Sequence, residues 1–290
     1  MSNHSSRWTY SDTVAVLTSM HAKERVIAPI LRDELGLTVG LASRVNTDQF
    51  GTFSREIERS GSQLDAARAK IAAGFGCAPM ARVGLASEGS FGPHSHSPFL
   101  AIGRELVLMI DRESGLELTG YDVSLETNFA HLVAHDLDEA FAFAERARFP
   151  EHGLIVMGCR DKRPAPEIML NKDVTDADAL EAAVRETVRR CGAAFVETDM
   201  RAHRNPTRMA AIERATYDLV RCFHSRCPNC ACPGFDVTER IPGLPCAWCG
   251  EPTCVVMAEV LSCKSCGHKL ERSVAAKSTA DPGRCDGCNP

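Results

Sequence analysis

The stretch TVAVLTSMHAKERVIAPILRDELGLTVGLAS, Thr13 to Ser43, changes its apolar period twice within 31 residues. TVAVLTS is an apolar run of strand length. AKERVIAPILRDEL then sets Val26, Ile27, Ile30 and Leu31 on one helical face, and LTVGLAS returns to strand character. Strand and helix patterns that alternate in this way predict an α/β domain.

The alternation continues outward. SQLDAARAKIAAGF predicts a helix, and RVGLASE, RELVLMID and LELTGYDVS predict strands. DLDEAFAFAERA and DADALEAAVRETVRRC read as helices, with GLIVMG as a strand between them and AFVETD as a strand after them. NPTRMAAIERATYDLVRCF is a closing helix with Pro206 at its first position, where a missing N–H costs nothing. The fold expected for residues 1–222 is an α/β domain with a mixed sheet. Residues 223–290 differ in composition and are expected to form a zinc-ribbon-like module.

That second expectation rests on cysteine. Of 14 cysteines, ten fall between Cys227 and Cys288. They include four pairs with one spacing, Cys227/Cys230, Cys246/Cys249, Cys263/Cys266 and Cys285/Cys288. A two-residue gap lets both thiolates of a tight turn face one ion, and four thiolates saturate zinc in a closed, structural site. Two structural zinc ions are expected. The pairing stays open, because joining the first pair to the second or to the third are both geometrically feasible. Gly250 and Gly267, just after the second and third pairs, suit a backbone that turns back with positive φ. Cys232, Cys254 and His268 are left as packing groups.

Composition narrows the function. The 290 residues, 44% hydrophobic and 24% charged, are ordinary for a globular chain. A net charge of −5 argues against binding nucleic acid in bulk. The module carries seven Lys/Arg against seven Asp/Glu, so a protein partner suits it better than a phosphate backbone. No apolar run reaches the ~20 residues that span a bilayer, and the start MSNHSSRWTYSD has no apolar core of a signal peptide, so a cytoplasmic location is expected.

Three stretches carry candidate chemistry. In LTSMHAKERVIAPIL a strand ends near Thr18 and Lys23 falls at a helix start, which suits phosphate. In IERSGSQLDAARAKI, Ser62 and Asp65 have the spacing of a capping box, with a metal-ligand role for Asp65 as the alternative. In ETDMRAHRNPTRMAAI, Arg201, His203, Arg204 and Arg208 gather around a helix start, which is electrostatically wasteful unless an anion fills the site. Between the first and last lies VGLASEGSFGPHSHSP, in which Glu88 ends a buried strand and Gly89 and Gly92 would let a substrate approach the backbone, a glycine-rich turn with a solvated acid being the alternative. Glu88 is there a candidate metal or base carboxylate, and His94 and His96 could share one face of an extended segment. Glu126 and Asn128 in SLETNFAH are further candidates to line the cleft.

Taken in order, LTSMHAKERVIAPIL, SGSQLDAARAK, VGLASEG and AHRNPTR resemble the Thr-x-Asn-x-x-Lys opening, the Ser/Thr-rich helix start, the acid-ended strand and the late Ser-His-Arg segment of the inosine-triphosphate pyrophosphatase family. Met20 stands where that family has asparagine, and its acid cluster is reduced here to Ser87-Glu88-Gly89. The resemblance implies a nucleoside-triphosphate cleft between two lobes. It implies Lys23 on phosphate, His203 and Arg204 on phosphate or base, and Glu88 and Asp65 as catalytic carboxylates on Mg2+, with Arg201 and Arg208 added as substrate-binding candidates by the charge argument at the helix start. The whole chain, through TDQFGTF, ASEGSFGPH and TDMRAHRNPTR ahead of the cysteine pairs, also resembles an uncharacterised bacterial family with a domain of unknown function and a zinc ribbon. The expectations that follow are a metal-dependent nucleotide hydrolase or, in its place, a non-catalytic nucleotide or anion sensor whose zinc module binds a protein partner.

Overall fold

A computed structural model describes residues 8–42, 45–47, 61–94 and 97–290. His96 and most of the TDQFGTF stretch lie outside the described residues. The chain divides into two compact units, one of Tyr10–Val220 and one of Arg221–Pro290 together with Trp8 and Thr9.

The larger unit is α/β, as the alternating periods require, and holds two sheets. The first is five-stranded and mixed. Strands β1 (Thr13–Thr18), β2 (Leu37–Leu41) and β3 (Val83–His94) run parallel in the order β2-β1-β3, linked by helices α1 (Glu24–Leu35) and α2 (Gln63–Cys77). Strands β4 (Ser97–Asp111) and β5 (Leu116–Ser124) extend it antiparallel beyond β3. Ala67 and Ile71 of α2 pack on Ala86 of β3 and on Leu106 and Leu108 of β4.

The second sheet is four-stranded and antiparallel, ordered β6-β9-β7-β8 from β6 (His131–Ala134), β7 (Leu154–Arg160), β8 (Arg163–Val174) and β9 (Ala194–Thr198). Helices α3 (Leu137–Arg146) and α4 (Ala177–Cys191) bury Ala140, Phe143, Leu180 and Val184 against Leu154, Val156 and Val196. Asp136 and Asp176 cap their N-termini by accepting from the Glu139 and Ala179 amides.

Helix α5 (Pro206–His224) follows β9 after a short 3-10 turn at Ala202–Arg204. It approaches β5 so closely that a Cβ at Gly120 would overlap the Ala215 carbonyl oxygen and the Leu219 amide. Only glycine admits a helix backbone at that separation. Tyr121 N–H also donates to Asp218 Oδ2 of α5 at 2.9 Å.

The strand does not end at Glu88, and the alternative of a glycine turn after it is not formed either. Strand β3 runs on through Gly89 and Gly92 to His94, because each of its residues from Val83 to Pro93 pairs with β4. Glu88 is therefore a mid-strand residue. The smaller unit carries an antiparallel sheet, β10 (Asp236–Pro242), β11 (Val256–Ser262) and β12 (Lys269–Ser273), with cysteine turns between and beside its strands. Among the described residues no helix is long and apolar enough to cross a membrane.

Candidate functional site

Turn and strand alternate in the smaller unit, in the order Cys227/Cys230, β10, Cys246/Cys249, β11, Cys263/Cys266, β12, Cys285/Cys288. A meander of this kind brings every second turn to the same end of the sheet. Cys227, Cys230, Cys263 and Cys266 accordingly form one cluster, and Cys246, Cys249, Cys285 and Cys288 the other. The interleaved pairing is thus selected over pairing of neighbours. Sγ–Sγ separations are 3.7 Å for Cys227–Cys266, 3.6 Å for Cys230–Cys263, 3.8 Å for Cys246–Cys288 and 3.6 Å for Cys249–Cys285. A tetrahedron of sulfurs about 2.3 Å from a central ion has edges of roughly 3.8 Å. Both clusters could hold a metal ion.

Backbone hydrogen bonds shape the turns. The amide four residues on donates to the first cysteine's carbonyl in all four, from Ala231, Gly250, Gly267 and Asn289. Gly250 and Gly267 have φ of 77° and 73°, as expected, and Ala231 takes φ 58° without glycine's freedom. His268 stacks on Phe235 at 5.8 Å, Cys232 is buried and Cys254 is exposed. None of these three belongs to a cluster.

In the larger unit the first, middle and last candidate stretches converge at the carboxyl end of β1. The register pairs Thr18 with Ala86, so Ser87, Glu88 and Gly89 extend just past the strand end. There the chain turns with His21 and Ala22 both in the left-handed region, at φ 69° and 59°, a costly conformation outside glycine. The turn delivers Lys23 to the start of α1, where its amine donates to the Ser87 carbonyl at 2.9 Å. The His21 ring stacks on His203 at 4.9 Å.

The surrounding charges are buried on both faces of the sheet. Glu88 pairs across the ladder with Leu106, which packs on α2, and its carboxylate forms an ion pair with Lys70 of that helix. Gly89 pairs with Glu105 on the other face, where Glu105 Oε1 accepts from Arg208 Nε of α5 at 2.7 Å. A Cβ on Gly89 would overlap Glu105 Oε1, so the missing side chain is what lets this pair lie against β3. Glu105 Oε2 has no hydrogen-bond partner among the described residues. Arg208 also lies over the Phe91 ring at 5.3 Å.

Electrostatics follow from this burial. Lys23 is 5% exposed, and desolvation, followed by the neighbouring Arg208 guanidinium, lowers its amine to about 7 although Glu105 and Glu88 pull the other way. Burial and then His203 lower His21 to about 3, and burial followed by Arg201 lowers His203. Both imidazoles are therefore neutral at pH 7.

Several expected roles change in this geometry. Arg201 and Arg208 do not wait for an outside anion. Arg201 is held by buried Asp199, with Nη2 to Oδ2 at 2.7 Å, Arg208 by Glu105, and Arg204 donates to the Val174 carbonyl at 3.3 Å. Asp65 is exposed and completes the capping box of α2 with Ser62. Glu88 is neutralised by Lys70. Glu88 and Asp65 thus do not form one ion-binding group, since among the described residues the groups of three or more suitable side chains are the two cysteine clusters.

Lys70, Glu105, Asp199 and His21 escaped the sequence reading. A lysine on the alanine-lined face of SQLDAARAKIAAGF and an acid inside the apolar RELVLMID were the signals available for two of them.

The chain belongs to the family described as domain of unknown function (DUF6671), whose profile matches residues 79–290. No curated protein matches the chain.

Proposed function

We propose that this member of the family binds a phosphate-bearing small molecule, with a nucleotide as the fitting class, at the carboxyl end of β1, and that its C-terminal module holds two structural zinc ions. One observation carries the first part. Three cations, Lys23, Lys70 and Arg208, are buried there with two carboxylates, Glu88 and Glu105, and Lys23 has lost much of its affinity for a proton in consequence. An anion arriving beside Lys23 supplies the missing counter-charge and restores the ammonium form. The carboxyl ends of parallel strands are the usual ligand-binding edge of open α/β sheets.

The best-supported reading is therefore a nucleotide- or anion-sensing protein. Calorimetric titration with a panel of nucleoside triphosphates tests it. Saturable binding that Lys23→Met abolishes supports the reading, and equal binding by the variant removes it.

A second reading, Mg2+-dependent nucleotide hydrolysis, is favoured by the unpartnered Glu105 Oε2, a buried carboxylate oxygen of the kind that ligates hard cations. Magnesium would hold the phosphates and stabilise charge developing on them. Pyrophosphate release from the same panel with Mg2+ separates hydrolase from sensor.

Zinc is the identity that fits eight thiolates in two saturated tetrahedra with no open position. A protein contact is the role that suits the module, whose charges balance and whose Trp248, between Cys246 and Cys249, is 78% exposed. A reducing cytoplasm suits 14 cysteines without a disulfide.

A further inference from the structure

A second charged cleft shares no residue with the site at Lys23. It has a volume of about 570 Å³ and is lined by Glu126 and Asn128 after β5, Arg146 at the end of α3 and Arg148 just past it, and Thr207 and Arg214 on α5. That volume is within the range of small-molecule sites. Of the three guanidiniums, only Arg214 has a close carboxylate partner among the described residues, Asp122 at 2.8 Å. Arg146 and Arg148 together outweigh Glu126.

Between the arginines the acceptors are spent, and one donor, on Asn128, is spare. Arg148 Nη2 donates to Thr207 Oγ1 at 2.7 Å, and the Thr207 amide donates to His152 Nε2 at 3.4 Å. Nε2 is then the acceptor on the imidazole, and the Thr207 hydroxyl turns its own proton to it at 2.9 Å. Burial, followed by Arg148, lowers the His152 pKa and keeps that ring neutral. Asn128 Oδ1 accepts from Asn205 at 2.8 Å, which leaves the buried Asn128 Nδ2 as a donor without a partner. Arg148 itself sits at φ 60°. The first amides of α5 are already bonded, Thr207 to His152 and Arg208 to Asn205 Oδ1, so the helix dipole is not what attracts a ligand here.

From a cleft with three guanidinium forks, an unpaired amide donor and one opposing carboxylate, we infer that it is a binding site for a phosphate group, free or carried as a monoester. Guanidinium pairs bidentately with phosphate oxygens, and the several oxygens of a phosphate can engage Arg146 and Arg148 together where a monocarboxylate engages one.

The test uses the full chain with inorganic phosphate, glycerol phosphate and acetate at one ionic strength. Phenylglyoxal modification of Arg146 and Arg148, read by peptide mass, reports on this cleft alone. Protection by inorganic phosphate or glycerol phosphate and not by acetate is expected, and the stronger protector identifies the free or esterified form. Arg148→Ala with Arg146→Gln should weaken calorimetric phosphate binding at this cleft at least tenfold, Arg148→Lys less, and Lys23→Met should leave the protection pattern unchanged. Thermal unfolding of Arg148→Lys shows that the fold survives. Equal protection by acetate, no protection by either phosphate, or protection lost in Lys23→Met overturns the assignment. The last two outcomes leave the reading at Lys23 standing on its own test.

Discussion

Arg208 and Glu105 meet as an ion pair, Nε to Oε1 at 2.7 Å, with side-chain exposures of 0% and 1%. They lie 103 residues apart in sequence, and the pair joins α5 to β4 above Gly89. A buried pair of this kind gains little over apolar residues of the same size, but losing one partner leaves the other charge stranded.

Arg208→Met should therefore destabilise the larger unit by about 3–5 kcal/mol, the usual cost of orphaning a buried charge. The double variant Arg208→Met/Glu105→Leu should recover most of that loss. Chemical denaturation of the three proteins checks both statements through their midpoints.

The legible parts of this molecule are those whose cause is local. Lys23 at the start of α1, Pro206 at the start of α5 and the cysteine turns all follow from short-range chemistry, and each stands where the periods and spacings put it. What was not legible depends on partners far along the chain. Strand β8 escaped notice because Pro164 and Pro166 read as breakers, and they are tolerated because β8 is an edge strand of its sheet. Strand β3 continued past Gly89 because β4 pairs with it there, which nothing in ASEGSFG announces. The anions that answer Arg201 and Arg208 are one neighbour, Asp199, and two residues on distant strands, Asp173 and Glu105, so only the first could have been suspected from ETDMR. The interleaving of the cysteine pairs likewise depends on the strands between them.

Helix α5 should be sensitive to a single methyl group. Gly120→Ala would drive a Cβ into the backbone of Ala215 and Leu219, and overpacking of this sort costs about 1–3 kcal/mol. For a unit of this size the thermal midpoint should fall by roughly 2–4 °C per kcal/mol, which calorimetric scanning reads directly. A change to alanine at exposed Gly115 is not a matching control, because φ there is 71°. Gly76, which lies in α2 with open space and an ordinary φ, is the control, and its change to alanine should hold or raise the midpoint, not lower it.

The pairing of cysteines predicts metal content in a variant. With Cys227, Cys230, Cys263 and Cys266 all changed to Ser, the second cluster keeps its four ligands and one ion per chain should remain. If neighbouring pairs shared ions, the same variant would break both sites and retain none. Metal analysis of protein purified without added zinc should give two ions for the unaltered chain and one for the variant.

The depressed Lys23 amine makes stability depend on pH in a stated direction. Between about 7 and the ordinary lysine value of 10.5 the unfolded chain holds a proton that the folded one has released. Stability should then rise with pH across that window, and below about 7 the folded state carries the full cost of a buried ammonium. Burial first, then Arg208, Glu105, Lys70 and Glu88 around the amine, set its value. Lys23→Met should flatten the rise, as followed by denaturant midpoints at pH 7, 8 and 9.

An anion that completes the charge balance around Lys23 must bring a proton with it, and calorimetry reads that uptake. A nucleoside triphosphate is titrated calorimetrically at pH 8 in two buffers of different ionisation enthalpy, with wild type and Lys23→Met. Saturable binding coupled to uptake of up to one proton is expected in the wild type, with both lost in the variant. Binding without proton uptake, or the same affinity and the same uptake in Lys23→Met, would contradict it.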